Sequence, residues 1–202
     1  MLSPMHPRVK AAGIAGCVAL ATGVAACGGS SSGAASAATA PAGAAATCAK
    51  TVPLTEGPYW KAGSPSRSNL RTTGVKGTPL RLTGRVVTAS CSPIAGAVLD
   101  VWQADGLGRY DNAGFRLRGH FTTRADGTWT LNTVIPGQYP GRTEHIHVKV
   151  RTPAGSTLTT QLFFPGVASN DSDGIYVPSM LVRHFRKQGS RYRASFTFAL
   201  AR

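Results

Sequence analysis

The sequence predicts a mostly β fold: a single-domain antiparallel β-sandwich set behind a signal peptide and a flexible linker. Three observations carry this. Seven short segments alternate apolar and polar residues, the period-2 pattern of half-buried strands. Gly and Pro turns separate them, as in a sandwich. Helical periodicity is weak, apart from one stretch around Ser179–Lys187.

The first 47 residues belong to export rather than to fold. Arg8 and Lys10 precede an Ala/Gly/Val-rich run from Ala11 to Ala26, a basic n-region before an apolar h-region. The run is too short and too rich in Ala and Gly for a permanent transmembrane helix. It ends Val24-Ala25-Ala26-Cys27-Gly28, which resembles a bacterial lipobox. In that pattern Cys27 is lipidated and becomes the mature N-terminus, and its several acyl chains suffice for stable anchoring. The expected location is the outer face of the cell membrane, with an ordinary cleaved signal and free secretion as the alternative. The tether, residues 27–47, has no charge and no aromatic residue and cannot bury a core. Residues 48–202 are long enough for one domain with a proper core.

Within that domain the strands read in order. Leu80–Val87 alternates and contains Gly84, read as a bulge. Ala97–Trp102 follows the turn Ser92–Gly96. Gly119–Thr123 and Trp129–Thr133 flank Ala125-Asp126-Gly127, a hairpin signal. His145–Val150, Thr157–Phe164 and Tyr192–Phe198 complete the set, with a short helix predicted around Ser179–Lys187.

Of four cysteines, Cys17 lies in the leader and Cys27 at the lipobox. Cys48 and Cys91 remain, and in an exported domain they are most simply a disulfide. Closing that loop is worth about 4 kcal/mol. Two free or metal-binding thiols are the alternative. The net charge of +14 falls to +12 when Arg8 and Lys10 leave with the signal. Such charge suggests nucleic acid. However, Arg67, Arg71, Lys76, Arg81, Arg116, Arg183, Arg186, Lys187 and Arg191 are dispersed, with no basic helix or aromatic-basic repeat. The expectation is no nucleic-acid partner, and a basic surface facing anionic envelope polymers or acidic aromatic substrates.

The chemistry concentrates in Arg142-Thr143-Glu144-His145-Ile146-His147-Val148-Lys149-Val150. On a strand, His145 and His147 project to one face, as a two-nitrogen metal half-site requires. Tyr110 and Tyr139 lie upstream in glycine-rich contexts. Two phenolates are hard anionic donors, and an ordinary tyrosine has a pKa of about 10. Only a strongly Lewis-acidic cation keeps both deprotonated near neutral pH, and ferric iron is the plausible one. Zinc more often draws Cys, His or Asp.

These residues stand within a longer ordered set. It runs from Thr55-Glu56-Gly57-Pro58-Tyr59 through Asp100-Val101-Trp102-Gln103-Ala104-Asp105, Gly108-Arg109-Tyr110 and Leu117-Arg118-Gly119. It continues with Asp126-Gly127, Thr133–Pro140, Arg142–His147 and Thr160-Gln161-Leu162-Phe163-Phe164. The set resembles the intradiol ring-cleavage dioxygenases of the protocatechuate 3,4-dioxygenase and catechol 1,2-dioxygenase type. The resemblance implies a β-sandwich with one non-haem Fe(III) per chain, held by Tyr110, Tyr139, His145 and His147. Tyr139 and His147 would be axial, Tyr110 and His145 equatorial. Arg142 and Gln161 match residues beside the substrate ring. The displaced Tyr139 phenolate would take a catechol proton, and Arg142 would stabilise anionic ring character. Both atoms of O2 would enter a small aromatic diol to give a cis,cis-muconate-type product.

Three features depart from the family pattern. Phe121 follows His120, Gln138 stands where Trp is common, and the segment Asp111–Arg116 is short. They bear on substrate and pocket shape. The helical dimerisation region of the catechol 1,2-dioxygenases is replaced by the tether, which argues against their subunit arrangement; a homo-oligomer stays open. Trp102 is expected in the core, Tyr59 near the site entrance, and His120 and His184 in structural roles. The competing functions are a transthyretin-like binding module on the cell surface, and an iron or catecholate binder without turnover.

Overall fold

The computed structural model describes residues 46–200. The leader, the Cys27 lipidation site and nearly all of the tether lie outside the described residues. Eight strands form: β1 (Pro79–Thr88), β2 (Val98–Trp102), β3 (Arg118–Thr122), β4 (Thr128–Val134), β5 (His145–Arg151), β6 (Thr157–Phe163), β7 (Arg183–Gln188) and β8 (Arg191–Leu200). They make two four-stranded sheets, ordered β3-β2-β5-β6 and β4-β1-β8-β7. This is the predicted sandwich. Every pair is antiparallel except β1 with β8, which run parallel.

Alternation sets the faces. Leu99 and Val101 of β2, Ile146, Val148 and Val150 of β5 and Leu162 of β6 enter the core from one sheet. Leu80 and Leu82 of β1, Trp129 and Leu131 of β4 and Phe196 and Phe198 of β8 meet them from the other. Each such side chain contributes roughly 1.5–3 kcal/mol by leaving water. Cys48 and Cys91 form a disulfide. It ties the segment entering the domain to the turn after β1.

Two local expectations are corrected. Gly84 is not a bulge: β1 stays in register through it with both neighbours. A Cβ there would lie 1.7 Å from the Phe196 carbonyl oxygen and 2.8 Å from the Trp129 ring, so close packing demands glycine. The segment 179–187 is not an α-helix. A 3₁₀ turn (Pro178–Met180) leads into β7, whose register slips between Arg183 and Arg186. Met180 and Val182 are buried at period 2. The irregularity at His184 (φ +53°) then turns Phe185 inward to stack on Tyr192, 4.8 Å between centroids. The slip combined two strand phases into a spacing that reads as helical.

Candidate metal centre

Core residues occupy one face of β5, so His145 and His147 stand on the other, the outer face of the first sheet. Register builds the floor around them. His147 lies opposite Trp102 on β2 and Gln161 on β6, and Trp102 lies opposite Arg118 on β3. Arg118, Trp102, His147 and Gln161 thus form one lateral row, strand to strand. Trp102 stacks on His147 with centroids 4.8 Å apart and planes 8° apart. It is buried as expected, and it also walls the site.

Two loops bring the tyrosines. Tyr139-Pro140-Gly141-Arg142 is a tight turn with Pro and Gly at the central positions; the Arg142 N–H donates to the Tyr139 carbonyl at 2.9 Å and Gly141 has φ +79°. The turn puts Tyr139 and Arg142 side by side, and Arg142 Nη1 donates to Tyr139 Oη at 3.3 Å. The loop after β2 carries Tyr110. Its Asp105 carboxylate accepts from the N–H groups of Leu107 (2.9 Å) and Arg109 (3.0 Å) and pairs with the Arg109 guanidinium. The loops touch at Gly108, where a Cβ would lie 1.9 Å from the Gln138 carbonyl oxygen.

The four predicted donors converge. Ring centroids are 5.7 Å apart for Tyr110 and Tyr139, 5.6 Å for Tyr139 and His145, 4.7 Å for His145 and His147, and 6.4 Å for Tyr110 and His147. His145 Nδ1 lies 2.6 Å from the Thr143 carbonyl, so that nitrogen carries the proton and Nε2 is a bare lone pair. His147 Nε2 lies 3.1 Å from His145 Nε2. Two bonds of about 2.1 Å to one ion, meeting near 95°, give that separation. Tyr110 Oη is buried with no hydrogen-bond partner among the described residues, an arrangement that costs free energy unless something polar meets it. The donor set therefore fits a hard cation. Among the described residues there is no group of three or more His, Cys, Asp or Glu, so any metal here depends on the phenols.

Electrostatics agree. Burial raises the Tyr110 pKa beyond the ordinary phenol range, and neighbouring Tyr139 adds to it. Burial raises Tyr139 as well, against the pull of Arg142. Burial lowers His145 to about 4, helped by Arg142. His147 falls well below its usual value through burial and the adjacent His145. Without a cation all four donors are neutral near pH 7, and an entering cation must displace phenol protons.

Arg142 is anchored on three sides. Besides Tyr139, its Nη2 donates to Gln161 Oε1 at 2.5 Å and its Nε to the Asp173 carboxylate at 3.0 Å. Gln161 Nε2 donates to the Thr55 carbonyl at 2.9 Å, which fixes its amide oxygen toward Arg142. Arg142 pairs with Asp173 and makes no ion pair with Glu144. Tyr59 stacks on Tyr110 at 4.2 Å and meets Tyr139 edge-on at 6.0 Å, so it is part of the aromatic wall. Its carbonyl accepts from Arg118 Nη1 at 2.5 Å. Gly57 (φ +68°) lets the same segment pass over His147, where a Cβ would sit 3.4 Å from the ring. A cleft of about 370 Å³ opens beside Tyr139 and Arg142, lined also by Gln138, Ser169, Ser172 and Asp173. Phe121 packs toward Trp129, away from the four rings.

Sequence reasoning missed Asp173, Arg118 and Asp105 as parts of this site. Asp173 stands in a turn with no metal or catalytic signature. Arg118 and Asp105 lie within the quoted motifs but reveal their roles only through register and loop hydrogen bonds.

A family model described as Dioxygenase matches residues 55–188. The 6-chlorohydroxyquinol 1,2-dioxygenase of Cupriavidus pinatubonensis is 30% identical over 177 residues, covering 74% of this chain and 64% of that protein. The chain thus spans less than two thirds of that relative's length. The solved dioxygenase domain of a dioxygenase–carbohydrate-binding fusion from Streptomyces sp. SirexAA-E is 46% identical, with TM-score 0.73, covering 76% of this chain and 99% of that one. An intradiol ring-cleavage dioxygenase from Tetranychus urticae is 25% identical with TM-score 0.70, covering 76% and 95%.

Proposed function

The chain belongs to the intradiol ring-cleaving dioxygenases, and from that premise we propose that it is a non-haem Fe(III) enzyme acting on a small aromatic diol and O2. One observation carries the reading. Two phenols and two imidazoles meet at one point, with the Tyr110 oxygen unpartnered and both histidines held neutral. Tyr110, Tyr139, His145 and His147 would hold one iron per chain. A bound Fe(III) would supply Lewis acidity, favouring loss of the diol protons and drawing electron density from the ring so that ring carbon becomes reactive toward O2.

The protein's own groups do the rest. Tyr139 Oη takes one of the two catechol protons and a hydroxide from solvent takes the other, leaving as water; the Arg142 N–H beside Tyr139 stabilises the phenolate that precedes its protonation. Arg142, fixed by Asp173 and Gln161, offers a preorganised positive charge to the anionic ring. Trp102, Tyr59 and the segment over His147 exclude bulk water. Gln138 and the cleft beside Tyr139 set which ring substituents are accepted. The product is a cis,cis-muconate-type diacid, cut between the two hydroxyl-bearing carbons.

The location belongs to the same proposal. The basic-then-apolar leader and the lipobox-like run ending at Cys27 support a place on the outer face of the cell membrane, as a lipoprotein. Metabolic labelling with a palmitate analogue, lost on Cys27→Ser, tests that part. The activity is tested on iron-loaded protein by visible absorption before and after anaerobic catechol, then by O2 uptake. A broad phenolate-to-iron band that moves to longer wavelength with catechol, followed by ring-opened product, is expected. Protein that stays colourless after iron loading would sink the metal assignment and favour a binding module. Coloured protein that binds catechol without product would favour the iron–catecholate binder.

A further inference from the structure

The basic residues that are dispersed in the sequence converge in the fold. The four strands of the second sheet contain no Asp or Glu and carry seven Arg or Lys. Leu82, Leu131 and Ala194 face the core, so their strand neighbours face solvent. Arg81 of β1 lies opposite Arg193 of β8, and Arg193 lies opposite Arg186 of β7. Three guanidinium groups therefore stand in one lateral row across adjacent strands, spanning about 10 Å. None of the three enters an ion pair among the described residues. Residues 1–45 contain no acidic side chain that could neutralise them.

Like charges directly opposite each other destabilise a sheet, and arginine cannot relieve this by losing its proton. An external anion can. The flanking outward residues are Thr83, Thr130, Ser195 and Asn132, all hydrogen-bonding and none acidic. Beyond Ser195 the face continues into a cleft of about 350 Å³ lined by Lys50, Arg183, His184, Ser195 and Thr197. The single exposed large apolar residue among those described, Leu107, lies in the Tyr110 loop between β2 and β3, outside the four strands of this sheet. This face therefore has no apolar wedge for a bilayer. It also has no outward aromatic residue to stack on nucleic-acid bases, and a second copy would present the same charge.

We propose that the outer face of the sheet β4-β1-β8-β7 is a docking surface for an acidic polysaccharide. Its carboxylates would bind the row Arg81–Arg193–Arg186 and its hydroxyls the Thr, Ser and Asn side chains. The dioxygenase site, on the opposite face of the sandwich, stays free while the polymer is held. A carboxylate accepts two parallel N–H bonds from one guanidinium, so a polymer with regularly spaced uronate groups suits the row.

The test is co-sedimentation of the full chain with polygalacturonate, against neutral dextran, anionic phospholipid vesicles and duplex DNA over a salt series. Retention by polygalacturonate but not dextran, falling as salt rises, is expected. R81A/R186A/R193A should weaken it about tenfold. A matched triple, R116A/R124A/R151A, should leave it within about twofold. R186E alone, which keeps the sheet intact, should weaken it more than R186A. Equal loss in both triples would reduce the effect to net charge and overturn the proposal. So would absence of retention, or tighter binding to vesicles or DNA than to polygalacturonate.

Discussion

Replacing Asp173 with Asn isolates what holds Arg142 in place. The Asp173 carboxylate accepts from Arg142 Nε at 3.0 and 3.2 Å, from the Thr143 N–H at 2.9 Å and from the Ile175 N–H at 2.9 Å. Asn keeps the size but loses the charge, and it can turn an NH2 toward the guanidinium. The Arg142 side chain is only 13% exposed and would lose its counter-ion. Hydrogen bonds to a charged group are worth about 1.5–3 kcal/mol each, and breaking a largely buried pair costs about 3–5. With one bond retained, D173N should lose about 3 kcal/mol, read from urea unfolding at pH 7.

The pH dependence of that loss is the sharper readout. Burial alone would raise the Asp173 pKa; the N–H donors of Ile175 and Thr143 and the Arg142 guanidinium outweigh it and hold it below the ordinary carboxylate value. A lowered folded pKa contributes stability above the unfolded value, about 3.9, that is lost as pH falls through the folded value. Wild-type and D173N curves should therefore separate above about pH 4 and converge in stronger acid. Turnover should fall roughly 10–100-fold, mainly in kcat, because Arg142 is misplaced rather than removed. A stability difference under about 0.5 kcal/mol at neutral pH, or one that persists undiminished in acid, would refute the anchoring role.

Three further outcomes follow from the geometry. Gly108→Ala places a Cβ 1.9 Å from the Gln138 carbonyl oxygen at φ +76°, so about 3 kcal/mol of stability should be lost together with iron binding, read by thermal unfolding and iron content. In metal-free protein His145 stays neutral down to about pH 4; stability should be full above about pH 6.5 and fall by on the order of 3 kcal/mol as pH drops from there to 4, measured by urea unfolding after chelation. Cys91→Ser removes the disulfide to Cys48, across a sequence separation of 43, and should cost about 4 kcal/mol by the same assay.

The sandwich was legible because its strands obey period 2: every buried position of β8 is apolar, and so is every one of β4 except Thr133. The shared face of the two histidines was legible for a related reason. His145 and His147 are two residues apart on a strand, so their common face follows from pleating alone. Asp173 was not legible, since nothing local to a polar turn says that it will meet an arginine 31 positions earlier. The parallel β1–β8 pair was equally hidden, because it joins the first strand to the last.

The positive charge shows why register matters more than count. Arg81 and Arg193 are 112 positions apart in sequence and directly opposite in the sheet. Dispersion along the chain therefore says nothing about dispersion in space. The same pairing logic puts Arg118, Trp102, His147 and Gln161 in one row on the other sheet. There burial and hydrogen bonds absorb the charge: Arg118 is 2% exposed and donates to the carbonyls of Tyr59 and Asp111. On the second sheet Arg186 and Arg193 stay exposed, without a described ion pair. The first row holds one arginine, satisfied by its own chain. The other is left for an anion from outside.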